Sequence, residues 1–364
     1  MDFSLSEEQT ALVELARRIF REHPPDESGA EVGETHAALW KALARGELLG
    51  LGLPPEVGGA GLGFIELVLL LEQAGFAAVT SALYPTLVLG ALPIATFGSS
   101  EQKERLLRPV VAGELLLSAA LADTTQPFHA RADGPRFRLD GRADCVPWVE
   151  YAGRVLVPAR TESGKTRIFI VDPRGSGARI ERQLSTNDEP LGQLELSGAP
   201  LGPGDLLGEP EPERGPEMLG FMLDHARVGL CALALGAAER ALELTARYTT
   251  ERQQFDRPIA TFQAVSQRAA DAYVDVESMR LTMLRAAFLL SQAEPATAEV
   301  AIAKYTAAES GQRVVNAAQH LHGGIGFDRS YPLHRYFLLE RQIEFTLGSA
   351  SRELARLGAL IAEG

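Results

Sequence analysis

Apolar and polar positions along this chain change rhythm twice. Up to about residue 115, apolar residues recur at helical spacing in ALVELARRIF, HAALWKALARGELLG, GFIELVLLLEQAGF, SALYPTLVLGALPIATFG and SEQKERLLRPVVAG. Ser6 with Gln9 predicts a capping pair at the start of the first helix. Gly- and Pro-rich stretches such as LPPEVGGAGLG punctuate the rest. From about 116 to 212 the helical period fades. RFRLDG, RVLVPA, RIFIVD and QLELSG read as short strands separated by Gly, Pro and Asp, which predicts an antiparallel barrel or sandwich. GEPEPERGPE is a Pro- and Glu-rich connector. From Met218 onward, MLDHARVGLCALALGAAERALELTARYTTERQQF, TFQAVSQRAADAYVDVESMRLTMLRAAFLLSQ and TAEVAIAKYTAAESGQRVVNAAQHLH are long helical patterns. The pattern therefore predicts an α+β chain in three parts: a helical domain over 1–115, a middle antiparallel β domain over 116–212 and a C-terminal four-helix bundle over 213–364.

Composition narrows the function classes. The chain has 364 residues, 46% of them hydrophobic, and carries a net charge of −13. Lys and Arg are dispersed, which argues against nucleic acid as a partner. The opening MDFSLSEEQ is acidic and polar, unlike a signal peptide. The apolar run LGFIELVLLL is interrupted by Glu66 and is too short to span a bilayer, so no membrane insertion is expected. The two cysteines, Cys145 and Cys231, lack metal-ligand spacing and suit a reduced, cytoplasmic setting. The seven histidines form no metal-ligand cluster.

Two stretches carry the candidate chemistry. The first is ERQQFDRPIATFQ, from Glu251 to Gln263. Arg252 suits a pyrophosphate, Phe255 offers an apolar face, and Gln263 both donates and accepts. The same residues also suit an exposed helix–loop–helix corner. The second begins NAAQHLHGGIGFDRSYPLHRYFLLERQIEFTLGS. Its Gly323-Gly324 turn follows a helical run, as a C-cap would. It is not a Rossmann fingerprint, because no strand precedes it and the G-x-G-x-x-G spacing is absent.

Together these stretches resemble the acyl-CoA dehydrogenase family, over essentially the whole chain. In that family a Gln-x-x-Gly-Gly-x-Gly turn is followed by Tyr-Pro, an Arg-Tyr helix and Tyr-Glu-Gly-Thr. The matching residues here are Gly323, Gly324, Gly326, Tyr331, Pro332, Arg335, Tyr336 and Gly348. The resemblance implies α,β-dehydrogenation of an acyl-CoA thioester with FAD, and electron-transfer flavoprotein as acceptor. It also implies that Arg252, Phe255, Gln263, His320, Gly323 and Gly324 contact FAD bound to a neighbouring subunit. His320 stands in place of the family Gln, and Asp256 in place of the Gly that follows Phe.

The departures are as telling as the matches. Leu347 occupies the position of the family's catalytic Glu, and Ala226 the alternative base position before Arg227. Neither can take a proton, so no catalytic base is expected at either place. Asp224, Glu340 and Glu344 read as solvated or salt-bridged surface carboxylates of helices. The family's middle-domain flavin segments are also degenerate. Ala122–Pro127 replaces its Thr-Glu-Pro stretch, and Gly141–Pro147 replaces its Gly-x-Lys-x-Trp-Ile-Thr strand. Pro147 has no N–H to offer, and Trp148 reads as a packing residue. Loss of a subunit's own flavin pocket, with retention of the residues that reach a neighbour's, resembles the non-catalytic subunit of the heterotetrameric, steroid side-chain type α2β2 enzymes. A homologous catalytic chain is the implied partner. Two alternatives stay open. One is a homotetrameric enzyme with a non-standard base such as Glu344, or with different flavin chemistry such as an oxidase. The other is a flavin-free acyl-CoA-binding or scaffold protein.

Overall fold

The computed structural model describes residues 3–25, 32–121, 126–208 and 214–363. In chain order come α1 (Glu7–Glu22), α2 (Val32–Arg45), α3 (Phe64–Ala77), a π-helical stretch (Tyr84–Ala91), α4 (Leu92–Phe97) and α5 (Ser100–Val111). The strands follow: β1 (Leu117–Ala119), β2 (Gln126–Asp133), β3 (Arg136–Pro147), β4 (Arg154–Thr161), β5 (Thr166–Val171), β6 (Ala178–Leu184) and β7 (Pro190–Leu201). The chain then returns to helix in α6 (Gly215–Glu251). The two-residue strands β8 (Gln253–Gln254) and β9 (Arg257–Pro258) lead to α7 (Gln263–Ser291), α8 (Thr297–His322), α9 (Leu333–Phe345) and α10 (Ala350–Glu363). This is the helical, β, helical order of the acyl-CoA dehydrogenase fold. The residues form two compact units. One comprises Met1–Pro25, Phe64–Val79 and Arg227–Gly364; the other comprises Asp26–Gly63 and Thr80–Ala226.

The first unit is helical apart from the short β8–β9 hairpin. Ser6 Oγ accepts from the Gln9 amide at 3.1 Å and Gln9 Oε1 accepts from the Ser6 amide at 3.0 Å, so the expected capping pair is a reciprocal box. α1 turns Leu12, Val13, Ala16, Ile19 and Phe20 inward, at the 3–4-residue spacing of one helix face, and packs on α3. Five helices follow the β region among the described residues, where the pattern predicted four. The extra one arises because the chain breaks at Leu347-Gly348, separating α9 from α10. α6 is long and apolar enough to cross a bilayer, yet 61% of its apolar window is buried inside the fold, as in a core helix.

The second unit centres on one sheet, in the order β1-β4-β2-β3-β7-β6, with β5 also pairing β4. The antiparallel expectation needs correction: β1 and β2 both run parallel to β4. β4 is entered through the turn after β3, which delivers it alongside β1 and β2 in their own direction. The remaining pairs, β2–β3, β3–β7, β4–β5 and β6–β7, are antiparallel. Phe128, Leu139, Val146, Val155, Val157, Phe169 and Leu194 fill the core beneath the sheet. The two-residue period of a strand puts them on one face, while in β4 and β5 the intervening Leu156, Ile168 and Ile170 are buried as well.

Candidate functional site

The α6–α7 corner displays the first candidate group. α6 closes with the Arg252 amide donating to Tyr248 O at 2.8 Å. The chain then reverses, with Gln253 opposite Pro258 and Gln254 opposite Arg257. Phe255 and Asp256 form the tip, with φ of 52° and 61°. A two-residue reversal with two positive φ angles matches the strand twist. Asp adopts this region readily, which accounts for Asp256 where the family has Gly. Phe does not, and its left-handed backbone costs about 1–2 kcal/mol. Even so, Phe255 is 85% exposed. Its ring meets Phe262 edge-on at 6.1 Å, and the Arg257 guanidinium lies over Phe262 at 4.1 Å. Arg252 and Gln263 are exposed on the same corner.

The second group lies at the end of α8. Gly323 has φ 64° and its amide donates to Gln319 O, so it is the C-cap the sequence suggested. A Cβ at Gly323 or Gly324 would meet nothing within 4 Å, and both residues are exposed along with His320. Glycine at 323 is therefore set by backbone conformation and leaves an open approach to the main chain. His322 is buried. Its Nδ1–H donates to Ala318 O at 2.8 Å, which makes Nε2 the acceptor for Tyr331 OH at 3.0 Å. Burial holds its pKa below the ordinary histidine value, against a smaller opposing effect of the Ala318 carbonyl. The Tyr248 ring stacks on His322 with centroids 4.4 Å apart. Arg252 lies one turn beyond Tyr248, and Gly323 directly follows His322. The structure thus brings the two exposed groups to one end of the helical unit.

The turn at Leu347 is built on buried charge. Lys304, 0% exposed, donates from Nζ to Ile343 O at 2.9 Å, Glu344 O at 3.3 Å and Gly348 O at 2.8 Å. It caps the C-terminus of α9, where a cation is favoured. Arg227 Nε donates to Leu347 O at 3.2 Å and lies 3.3 Å from Glu353 Oε1. Glu353 is itself buried and also faces Arg356 at 3.5 Å. These contacts fix Leu347 at φ 55° and Gly348 at φ 129°. A Cβ on Gly348 would run into the Glu353 carboxylate. Glu344, a candidate substitute base, is 2.6 Å from Arg341 and mostly buried. Glu340 is a correction: the sequence suggested a surface carboxylate, and the structure buries it to 2% exposure. Ala226 is fully buried, and its carbonyl accepts from Tyr84 OH at 3.1 Å.

Sequence reasoning missed Lys304, Glu353 and Glu340 as structural charges. The signal for the first was present. Lys304 sits inside the stripe Val300, Ala301, Ala303, Ala307 and Ala308, where every neighbour faces the core.

In the β unit, β3 spends its polar groups internally. Its register shifts between Leu139 and Gly141, and again between Ala143 and Val146. Cys145 and Trp148 carry φ of 55° and 54°. The Cys145 amide donates to Gln183 Oε1 at 2.7 Å, and Pro147 O accepts from Ser118 Oγ at 2.5 Å. Trp148 turns into the interior, 4.4 Å from His36 and 5.5 Å from Tyr151 between ring centroids, as a packing residue. Within the described segments the end of β3 fits a flavin poorly: the Cys145 amide is taken by Gln183, Pro147 has no N–H, and Trp148 is buried in the interior. The groups around Arg252 and Gly323, by contrast, are exposed. Ala122–Thr125, the other degenerate segment, lies outside the described residues. Among the described residues no group of three or more metal-ligating side chains converges.

Comparison with known proteins bears on the family of the chain. Residues 6–114 match the acyl-CoA dehydrogenase N-terminal domain, and residues 213–359 match its C-terminal domain. Acyl-CoA dehydrogenase FadE27 of Mycobacterium tuberculosis is 36% identical over 89% of this chain and 88% of its own length. A solved structure of a variant of the Tcur3481-Tcur3483 steroid ACAD is similar at 40% identity, TM-score 0.89, and 99% coverage of both chains. The ChsE4-ChsE5 complex from Mycobacterium tuberculosis is similar at 34% identity, TM-score 0.92, and full coverage of both chains. With both terminal domains matched and relatives aligned end to end, the chain belongs to the FAD-dependent acyl-CoA dehydrogenase family.

Proposed function

We propose that this chain is the non-catalytic subunit of a heteromeric acyl-CoA dehydrogenase and completes an FAD site whose base and flavin pocket lie on a homologous partner. The observation that carries this reading is the contrast between its sites. Both base positions hold apolar residues, Leu347 and Ala226, whereas Arg252, Phe255, Gln263, His320, Gly323 and Gly324 stand exposed at one end of the helical unit. FAD in such a complex supplies the hydride acceptor for α,β-dehydrogenation of an acyl-CoA thioester. A carboxylate within hydrogen-bond reach of the α-proton must supply the base. Among the described residues, the carboxylates nearest the base position are otherwise occupied: Glu344 is engaged by Arg341 and Glu340 is sealed in the core.

Its own contribution is binding. In this reading Arg252 pairs with pyrophosphate oxygens, the Gly323-Gly324 main chain approaches the dinucleotide, and Phe255 covers an apolar face. Relatives that include a two-protein complex and a steroid enzyme support an α2β2 assembly acting on a lipid or steroid thioester. Electron-transfer flavoprotein is the proposed acceptor and the cytoplasm the proposed location. The test is co-expression with a homologous chain that retains the base. A stable complex of unlike chains, active only as the pair, supports the reading. Turnover of an acyl-CoA by this chain alone contradicts it.

A further inference from the structure

We propose that Glu340 keeps its proton in the folded chain and acts as a pH-dependent lock on the helical unit. The geometry leaves this carboxyl no cation to pair with. It is buried at the meeting of α6, α8 and α9, seated over Gly311, where even a methyl group would run into its Oε2. Its Oε1 is buried and has no hydrogen-bond partner. Lys304 is the nearest candidate, but an ammonium has three donors. All three are taken, by the carbonyls of Ile343, Glu344 and Gly348.

The other charges facing the cluster do not rescue an anion. Arg227, from α6, serves Leu347 O and Glu353. Glu353, from α10, is itself an anion. Glu344, one turn along α9, raises the cost of ionising Glu340. Cys231, from α6, is neutral, because burial pushes its thiol up to about 12. Burial likewise pushes the Glu340 carboxyl well above the ordinary carboxylate value, and the Lys304 charge offsets this only in part.

The consequence follows by linkage. A folded state that binds a proton more tightly than the unfolded state loses stability as pH rises from the unfolded value toward the folded one. An ionised Glu340 would be a buried, unpaired anion between α6, α8 and α9. The ends of α6 and α8 carry the exposed groups at Arg252 and Gly323, so loosening there would disperse them.

The test is the unfolding midpoint of the full chain from about pH 5 to about pH 9, wild type against Glu340→Gln. Gln is neutral at every pH and nearly isosteric. Its midpoint is expected to gain on wild type with rising pH, the gap widening by about 3 °C or more. A gap that stays constant across the range overturns the proposal. If Glu340→Gln does not fold, infrared spectra of the wild type at neutral pH decide. A protonated carboxyl band shielded from exchange in D2O supports the lock, and its absence rejects it.

Discussion

Tyr248 lies stacked on His322, ring centroids 4.4 Å apart and planes tilted by only 20°. The pair joins the last turns of two helices whose ends carry the candidate cofactor contacts. His322 is in turn fixed by Ala318 O and Tyr331 OH, so the stack has a rigid base. An aromatic pair of this kind contributes about 0.5–1.5 kcal/mol beyond its burial. Tyr248→Leu is therefore expected to leave the chain folded and weaken FAD binding to the mixed complex roughly three- to tenfold. Titrating FAD into the apo-complex measures it. Unchanged affinity would show that the two helix ends need no tie.

In the proposed assembly, Arg252 is the residue expected to contribute most to cofactor contact. A hydrogen bond to a charged group contributes about 1.5–3 kcal/mol. Arg252→Ala should weaken FAD binding to the complex roughly ten- to a hundredfold. Arg252→Lys should recover only part of this, since a point charge does not reproduce the planar fork. The same titration at fixed salt checks both variants. Full affinity in an assembled Arg252→Ala complex would reduce Arg252 to a surface charge.

Restoring an acid where the family keeps its base is not expected to restore activity. Leu347→Glu places a carboxylate on a turn held by Lys304 and Arg227. A base works only opposite a flavin aligned with the substrate, and at the end of β3 the Cys145 amide is taken by Gln183 and Trp148 is buried in the interior. Turnover assays on the isolated variant with acyl-CoA substrates should stay at background. Substantial turnover would mean that the β unit holds flavin after all.

Lys304 should be the most sensitive single position of the turn. Lys304→Met keeps the length of the side chain but strands three carbonyls and removes the buried cation near Glu353. Breaking a buried charge network in this way costs about 3–5 kcal/mol. Urea unfolding of the variant against wild type reads the loss directly. A change within experimental error would place the stability of the turn in Arg227 and Gly348 alone.

Much of the fold was legible in the chain. Ser6 and Gln9 announced the first cap, and the three long apolar periods after Met218 announced α6, α7 and α8. The mixed direction of the sheet was not legible, because pairing depends on where β4 is delivered rather than on its own residues. The candidate contacts were legible as motifs, since Arg252 and Gly323 sit in recognisable strings. The fixation of those strings was not. The stack of His322 on Tyr248 joins positions 74 residues apart, 248 and 322, and no local pattern announces it. The buried charges failed for a related reason. Glu340 looked like any helical surface acid, and only the packing of α6, α8 and α9 shows where it points.

The central claim is that this chain serves a flavin it does not hold alone. The most direct measurement is the FAD content per chain, by absorbance, of the isolated protein and of its complex with a base-bearing homologous chain. The isolated chain is predicted to be colourless, and the complex to carry FAD that falls away in Arg252→Ala. Stoichiometric FAD on the isolated chain, unaffected by Arg252→Ala, would contradict the account.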